Sequence, residues 1–372
     1  MYSSAQNTDS VFLPFVHPFG TKGIPLLRAT VGGMDLDLPV DTGSTGLLIG
    51  APLLPEIGPD EGTPVHHYFT SSNILYRARL VELSVTFHGP GGSNATAEVP
   101  VLVVDESEVC PWYDPNVDTF ECPYNPNHPK PVLRDTSKIT YMGVGFGRNG
   151  LADGQPSASP RANPFLNIIA INGKAPPPSS FGLGYTISTQ GVTLGLTREN
   201  TEGFSFMPLK RGKTHHEDPR DWAMVEMCFS VAGQGNNCGT ALIDTGIEHM
   251  YLRTDVGVET PNITIRNPKK DGFAKWVRRV SLGTPITVGF PSLDDSAPAR
   301  YSFTVGQQSP LAPSHVIPEI QRAPPYINTG RNFLFGYSIA FDAFLGRFGF
   351  RPVTGGSSSK RFKAEMHPRS VI

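Results

Sequence analysis

One short pattern occurs twice in the sequence, and this repetition constrains the fold more than any other feature. Residues 40–43 read VDTG and residues 243–246 read IDTG, each after an apolar run, more than half of the 372-residue chain apart. A single copy is typical of an ordinary strand-to-turn sequence, in which the Asp accepts local amide hydrogen bonds. Two copies in similar contexts indicate a duplicated unit; two unrelated turns, each capped by an Asp, are the alternative.

The rest of the sequence predicts β-structure. The chain holds 39 Gly and 36 Pro, which interrupt helices and shape turns, and its 38% hydrophobic and 17% charged residues indicate a folded protein. Alternating apolar segments predict strands in residues 24–40, 80–87, 99–104, 192–197, 286–290 and 301–305. Helical periodicity is confined to residues 162–171 and 273–280. We therefore expect an all-β fold with few short helices.

The chain length predicts two domains, since a typical domain has roughly 150 residues. Polar, Gly- and Pro-rich stretches at 151–163 and 172–180 suggest a connection, and we place the boundary near residue 200. The prediction is an N-terminal lobe at 1–200, a C-terminal lobe at 201–354 and a polar, flexible tail at 355–372, with one Asp-Thr-Gly motif in each lobe.

Charge and hydropathy exclude several classes of partner. With 31 basic and 33 acidic residues, the chain has no net field that favours nucleic acid or an anionic membrane. No segment approaches the roughly 20 apolar residues of a spanning helix. The basic run at 266–279 is interpreted as a solvated surface element.

The cysteines favour an oxidising compartment. They form two local pairs without the C-x-x-C spacing of zinc or redox sites, and these pairs are Cys110 with Cys122 and Cys228 with Cys238. Two loop-closing disulfides, together with N-x-[ST] sequons at Asn94 and Asn262, predict a secreted or extracytoplasmic glycoprotein. Residues 1–20 lack the features of a signal peptide, so this prediction requires a leader outside the sequence. Free thiols in a cytosolic protein are the alternative.

A twofold relation between the two halves would bring Asp41 and Asp244 together. Two carboxyl groups that share one site cannot both ionise easily, so one keeps its proton while the other is charged. The charged member can deprotonate a water as it attacks a carbonyl carbon, and the protonated member can donate to the carbonyl oxygen. This chemistry requires neither a metal nor a cofactor.

The residues that follow each Asp suit such a site. The hydroxyls of Thr42 and Thr245 can bond to the opposite turn, and Gly43 and Gly246 allow amide groups to point at the carboxylates.

Other motifs do not support metal or cofactor binding. Residues 145–150 match G-x-G-x-x-G, but the Pro-rich segment that follows cannot open the helix that a dinucleotide requires. The adjacent histidines at 66–67 and 215–216 lack the i, i+4 spacing of a metalloprotease helix.

With these motifs, the sequence resembles the pepsin-like aspartic proteases. Residues 141–147 (YMGVGFG) are similar to the segment that lies behind the first Asp turn in that family, and residues 327–352 are similar to its closing segment. The Cys228–Cys238 loop just before Asp244 also fits secreted relatives. The resemblance implies a bilobal β fold and an endopeptidase that cleaves extended polypeptides at acidic pH without a cofactor. We expect a monomer.

One departure from the family concerns the second motif. In the family, the hydroxyl at the position of Ser44 bonds the outer oxygen of the neighbouring Asp, but the equivalent residue in the second motif is Ile247. Asp244 is therefore expected to be the protonated member and Asp41 the base, unless Glu248 or a water supplies the missing bond.

The predicted flap also departs from the family. Tyr68 is the candidate flap tyrosine, with Tyr76 as its rival, and Leu48 replaces the Trp that usually steadies the flap. No inhibitory propeptide is evident before the first apolar hairpin. These departures support a rival hypothesis, a catalytically silent protein with a protease-like fold that serves as a secreted binding protein.

Overall fold

The computed structural model describes residues 8–69, 72–114, 117, 121–124, 126, 130–148, 158–176, 180–268, 275–321 and 324–353. Within these ranges almost all regular structure is β, and no helix reaches 7 residues. The prediction of an all-β protein is confirmed. The predicted tail at 355–372 lies outside the described residues.

Short strands follow one another along the chain. In the first part of the chain they are β1 (Val11–Pro14), β2 (Leu26–Val31), β3 (Met34–Pro39), β4 (Thr45–Gly50), β5 (Thr63–Phe69), β6 (Ile74–His88), β7 (Asn94–Val109), β8 (Val132–Leu133), β9 (Thr140–Val144) and β10 (Ile168–Ile171). The middle of the chain contains β11 (Gly184–Ser188), β12 (Gly191–Leu194), β13 (Ser205–Pro208), β14 (Val225–Val231), β15 (Gln234–Leu242) and β16 (Met250–Arg253). The last part contains β17 (Asn262–Arg266), β18 (Trp276–Val280), β19 (Pro285–Phe290), β20 (Ala299–Thr304), β21 (Val316–Pro318), β22 (Tyr326–Asn328), β23 (Tyr337–Asp342) and β24 (Arg347–Pro352).

Single turns of 3-10 helix are the helical elements of the described residues. They span Ala51–Leu53, Pro90–Gly92, Thr136–Lys138, Pro160–Ala162, Pro164–Leu166 and Arg331–Phe335.

Two large sheets each contain one Asp-Thr-Gly turn. The nine-stranded sheet has the order β3-β2-β6-β7-β4-β9, with β5 paired to β6 and β8 and β10 paired to β7. The seven-stranded sheet has the order β20-β19-β14-β15-β22-β16-β21. The first turn lies between β3 and β4, and the second lies between β15 and β16. Each turn therefore joins two strands of its own sheet.

A third sheet combines distant parts of the chain. Its order is β1-β12-β11-β23-β24-β13, so strands from the start, the middle and the end of the chain lie side by side. The ring of Phe146, which follows the first large sheet, stacks on Phe341 of β23 at 4.0 Å between centroids. This sheet and its buried aromatic side chains join the two halves of the chain.

Both predicted helices are wrong. Pro164 prevents a continuous helix from residue 162 and instead begins a short 3-10 turn, in which Asn163 accepts a hydrogen bond from the amide of Phe165. Beyond this turn, Ile168–Ile171 pairs with β7 as a strand. In the second predicted helix, residues 273–280, the described residues Trp276–Val280 form strand β18, which pairs with β17. The basic run belongs to this exposed hairpin, apart from residues 269–274, which lie outside the described ranges.

Both predicted cysteine pairs are disulfide bonds. Cys228 and Cys238 are directly opposed residues of β14 and β15, so this bond ties together the hairpin that leads to Asp244. The disulfides are consistent with an extracytoplasmic setting. Within the described ranges, no helix has the length and apolar character needed to cross a membrane.

Replacing Cys228 and Cys238 together by Ser should lower the free energy of unfolding by about 2–3 kcal/mol, because the unfolded chain regains the entropy of an open loop. Urea denaturation under non-reducing conditions measures this change. The far-UV circular dichroism should stay that of a β protein, and an unchanged urea midpoint would contradict the expected contribution.

Candidate active site

The first turn is held by the strand behind it. The amide of Asp41 donates to the carbonyl of Met142 at 3.1 Å, and the carbonyl of Asp41 accepts from the amide of Val144 at 2.8 Å. A side chain on Gly143 would overlap the backbone of Ser44 and Thr45, so only glycine permits this close approach. The 141–147 segment therefore lies directly against the first turn.

The second turn is supported in a similar way by the segment after β22. The amide of Thr329 donates to Leu242 at 2.9 Å, and the amide of Arg331 donates to Ile247 at 2.9 Å. Gly330 has a positive φ of 66° and lies close to the carbonyl of His249, which excludes other residue types there.

Two threonines lock the turns to each other through reciprocal hydrogen bonds. The Oγ1 of Thr42 accepts from the amide of Thr245 at 3.0 Å and donates to the carbonyl of Ile243 at 2.5 Å. The Oγ1 of Thr245 accepts from the amide of Thr42 at 3.0 Å and donates to the carbonyl of Val40 at 2.5 Å. These four bonds are buried, and they fix the separation and orientation of the two turns.

The glycines of the motifs lie against the opposite carboxyl groups. A Cβ on Gly246 would approach Oδ1 of Asp41 to 2.5 Å and Oδ1 of Asp244 to 3.0 Å. A Cβ on Gly43 would overlap the carboxyl of Asp244. Neither glycine has a positive φ, so their role is close packing. The two carboxyl groups thus meet at one point, and they lie close enough to interact by charge and by a hydrogen bond.

The carboxyl of Asp41 accepts hydrogen bonds from three donors. The amide of Gly43 donates to Oδ1 at 2.7 Å. The hydroxyl of Ser44 donates to Oδ2 at 2.6 Å, and the phenol of Tyr141 donates to the same oxygen at 3.0 Å. Together these donors occupy both oxygens of the Asp41 carboxyl.

The carboxyl of Asp244 accepts from two donors. The amide of Gly246 donates to Oδ1 at 2.7 Å, and the side-chain amide of Asn328 donates to Oδ2 at 2.6 Å. The bond expected from a hydroxyl at position 247 is thus supplied by Asn328, whereas Glu248 is exposed. Burial and, secondarily, the charge of Asp41 raise the pKa of Asp244 to about 7, although both donors act in the opposite direction. The proton of the pair therefore belongs on Asp244.

A buried arginine braces the second turn. Arg331 donates through Nε to the carbonyl of Ile247 at 3.2 Å and through Nη2 to that of Gly246 at 2.8 Å. It also donates to the carbonyl of Gly23, close to β2, so it links the two halves. Burial lowers the pKa of Arg331, and the nearby carboxyl groups oppose this effect. Its positive charge compensates part of the negative charge on the carboxyl pair.

Tyr68, the predicted flap residue, lies on the face of the β5–β6 hairpin that packs on a disulfide. Its hydroxyl lies 3.1 Å from both the carbonyl of Cys110 and Oδ1 of Asn73, which share its single proton, and its ring contacts Tyr113 at 4.9 Å. Among the described residues, no hydrogen bond joins Tyr68 to either Asp.

The opposite face of the same hairpin is connected to Asp41. The ring of Phe69 contacts Tyr141 at 5.7 Å, and Tyr141 donates to Asp41. Phe69 also contacts the rival candidate Tyr76 at 5.6 Å. Tyr76 packs in one apolar cluster with Leu48, the residue that replaces the expected Trp. The connection from hairpin to carboxyl pair thus passes through Phe69 and Tyr141.

A cavity of about 550 Å³ opens beside β4, the strand that follows the first turn. Gly46 and Leu47, which follow Ser44 in the chain, form one wall, and β5 contributes His66 and His67. Burial, with the charge of His66, lowers the pKa of His67 to about 4, so its imidazole is neutral above that pH. The cavity is lined mainly by apolar atoms and is large enough for amino-acid side chains.

The repeated motif predicts that Asp41, Asp244 and their Thr and Gly neighbours share one site, and the structure brings all of them together. The motif gives no role to Tyr141, Asn328 or Arg331. The sequence does contain a signal for Tyr141 and Asn328. Each is a polar residue that stands two positions before a glycine, in the mainly apolar segment that lies behind its turn.

Comparison with protein-family models and with curated protein sequences finds no significant match to this chain.

The variant Thr42→Val should lower the free energy of unfolding by about 2–4 kcal/mol, because the carbonyl of Ile243 and the amide of Thr245 would both lose a buried partner. Urea denaturation measures the loss. Thr193→Val, at a partly exposed position of β12, is the control and should change stability by less than about 1 kcal/mol. Equal losses in the free energy of unfolding would show that the reciprocal bonds of Thr42 and Thr245 stabilise the protein no more than an ordinary threonine does.

The raised pKa of Asp244 predicts a pH dependence of stability. A carboxyl that binds its proton more tightly in the folded state stabilises the protein fully below its ordinary pKa of 3.8, and this contribution is lost as the pH rises through about 7. The stability of the wild type relative to Asp244→Asn should therefore fall between pH 4 and 8 in urea titrations. Asp295→Asn, whose side chain is 96% exposed, is the control. A constant difference from pH 4 to pH 8 would contradict the raised pKa.

Proposed function

We propose that this protein is an aspartic endopeptidase, a divergent member of the pepsin-like family. The observation that carries the proposal is the pair of buried carboxyl groups, Asp41 and Asp244, which face each other with unequal hydrogen-bond environments. A buried pair that merely supports the fold would be costly, since apolar residues of similar size serve that role at least as well. A catalytic pair requires one charged and one protonated member, and this asymmetry is what the site provides.

The reaction follows from the two protonation states. Ionised Asp41 accepts a proton from a bound water as the water oxygen attacks the peptide carbonyl carbon, while protonated Asp244 donates its proton to the carbonyl oxygen. The resulting tetrahedral diol collapses when Asp41 returns a proton to the amide nitrogen and Asp244 recovers one from a diol hydroxyl. The C–N bond then breaks to give a carboxylic acid and an amine, and the pair regains its initial state.

The architecture supports the same proposal. Two large sheets each carry one Asp-Thr-Gly turn, and a six-stranded sheet joins strands from both halves of the chain. We propose that this arrangement is the bilobal pepsin-like fold, with lobes at 1–200 and 201–354 and the carboxyl pair at their junction. A deep groove between lobes would suit an extended polypeptide, whose backbone bonds give affinity while alternating side chains enter pockets. The cavity beside Gly46 is a candidate for one such pocket.

One observation favours the rival function, a secreted binding protein without activity. The hydroxyl of Tyr68 is engaged by Cys110 and Asn73, so it is not available to a substrate in this arrangement. Ile247 does not favour the binding protein, because Asn328 supplies a hydrogen-bond donor to Asp244. Retention of two facing carboxyl groups favours the enzyme. Secretion, glycosylation at Asn94 or Asn262, a monomeric state and a polypeptide substrate are parts of the proposal.

Digestion of a peptide library between pH 3 and 8 tests the function. Wild-type protein should cleave internal peptide bonds, and activity should decline as the pH rises through about 7, where Asp244 loses its proton. A statine-containing peptide, which mimics the tetrahedral diol, should inhibit.

In the same digest, Asp41→Asn should lower kcat by at least about a thousandfold because the general base is lost, whereas Asp295→Asn should match the wild type. Cleavage that persists in Asp41→Asn would reject the mechanism. Absence of cleavage at every pH, in protein that is folded by circular dichroism, would favour the binding protein.

A further inference from the structure

Each carboxyl of the pair has a side-chain donor from the strand behind its own turn, and the two donors occupy matching positions. Tyr141 of β9 lies two residues before Gly143, and Asn328 of β22 lies two residues before Gly330. Tyr141 donates to Oδ2 of Asp41 at 3.0 Å, and Asn328 donates to Oδ2 of Asp244 at 2.6 Å. Each of the two turns is thus supported by a side-chain hydrogen bond from the equivalent position, which comes from a phenol in one turn and from an amide in the other.

Both donors are fixed before any substrate binds. The Oδ1 of Asn328 accepts from the amide of Gly330 at 3.1 Å, so its Nδ2 must point to Asp244. Tyr141 is paired with Leu48 across β4 and β9, and its ring contacts Phe69. Neither donor depends on a mobile surface side chain, and both can therefore hold a carboxyl in one orientation.

The two donors do not give the carboxyl groups equal support. Oδ2 of Asp41 accepts from Tyr141 and also from Ser44, whereas Oδ2 of Asp244 accepts from Asn328 alone, because Ile247 stands where a hydroxyl would be expected. The count of donors to the charged form is therefore higher at Asp41. Since each such bond favours ionisation, the difference directs the shared proton to Asp244.

We propose that Tyr141 and Asn328 are matched positioning residues that set the two limits of the catalytic pH range, Tyr141 through Asp41 and Asn328 through Asp244. The catalytic consequence rests on the proposed function, but the effect on proton binding does not. Loss of either donor removes no reacting group, but it changes the pH at which each carboxyl carries its required charge.

Several charged or titratable groups lie near the pair. Tyr141, Tyr251, Tyr326 and Arg331 are among those that interact electrostatically with Asp41 or Asp244. Glu248 acts on Arg331, Glu319 acts on Tyr251 and Tyr326, Arg148 and Arg253 act on Tyr326, and Arg279 acts on Tyr251. The burial that raises the pKa of each of these three tyrosines keeps them neutral through the catalytic range. These three tyrosines therefore contribute no change of charge that could imitate the loss of a hydrogen bond to either Asp.

Two single variants test the assignment. Tyr141→Phe removes one hydroxyl and should raise the lower pKa of the pair, which moves the acidic limit of kcat/KM upward by about one pH unit. Asn328→Leu removes the donor to Asp244 and should raise the upper pKa, which moves the alkaline limit upward by about one pH unit. Adding Ile247→Thr to Asn328→Leu should move the alkaline limit back towards the wild-type value.

The direct readout is a carbon-13 NMR titration of the Asp side-chain carboxyls, assigned with Asp41→Asn and Asp244→Asn. Tyr251→Phe is the matched control, because Tyr251 senses the charge of Asp244 without a hydrogen bond to it among the described contacts. Shifts of both pKa values in the stated directions, with Tyr251→Phe unchanged, would support the proposal even if no peptide is cleaved, in which case the proposed function alone would fail.

Titrations of folded Tyr141→Phe and Asn328→Leu that coincide with the wild type would overturn the proposal, whether or not the protein is a protease. The same holds if Tyr141→Phe moves only the upper pKa and Asn328→Leu only the lower one.

Discussion

The reciprocal hydrogen bonds between Thr42 and Thr245 are the constraint on which the rest of the site depends. Each hydroxyl accepts an amide proton from the opposite turn and donates to the carbonyl that precedes the opposite Asp. The two turns cannot slide past one another without breaking four buried bonds at once. Because Gly43 and Gly246 leave no side chain in the way, the same contact forces two carboxyl groups together that would otherwise repel.

The lock is symmetric, but its surroundings are not. Asp41 is supported by a serine and a tyrosine, whereas Asp244 is supported by an asparagine and lies next to a turn braced by Arg331. This imbalance distinguishes two chemically identical side chains and gives each a separate role in the proposed reaction. The cationic Arg331 also offsets the single negative charge that the pair keeps, which makes its burial tolerable.

Much of the fold and the centre of the site could be predicted from the sequence. Alternating apolar runs predicted the strands at 80–87 and 99–104, and these residues belong to β6 and β7. The repeated Asp-Thr-Gly pattern predicted which residues would meet. Apolar residues in both segments imitated helical periodicity at 162–171 and 273–280, but Pro164 and pairing with neighbouring strands decided the outcome in favour of β-structure.

The supporting residues could not be predicted in the same way. Asn328 reaches Asp244 from 84 positions further along the chain, and its place two residues before Gly330 marks a position behind the turn without identifying the group that it contacts. The position of Tyr68 near a hairpin tip predicts a flap residue, but the alternation of side chains along β5 directs Tyr68 to the disulfide and Phe69 to Tyr141. A difference of one residue along β5 therefore decides which side chain contacts Tyr141, the residue that donates to Asp41.

The six-stranded sheet has a consequence for how the molecule forms. Strand β11 pairs with β23, so its sheet is complete only after residues 337–342, far along the chain from residues 184–188, have been synthesised. Such long-range pairing closes large loops and is slow to form. The junction between the two halves consequently cannot be completed by a nascent chain that lacks β23, and until then the two acidic turns have no complete common scaffold.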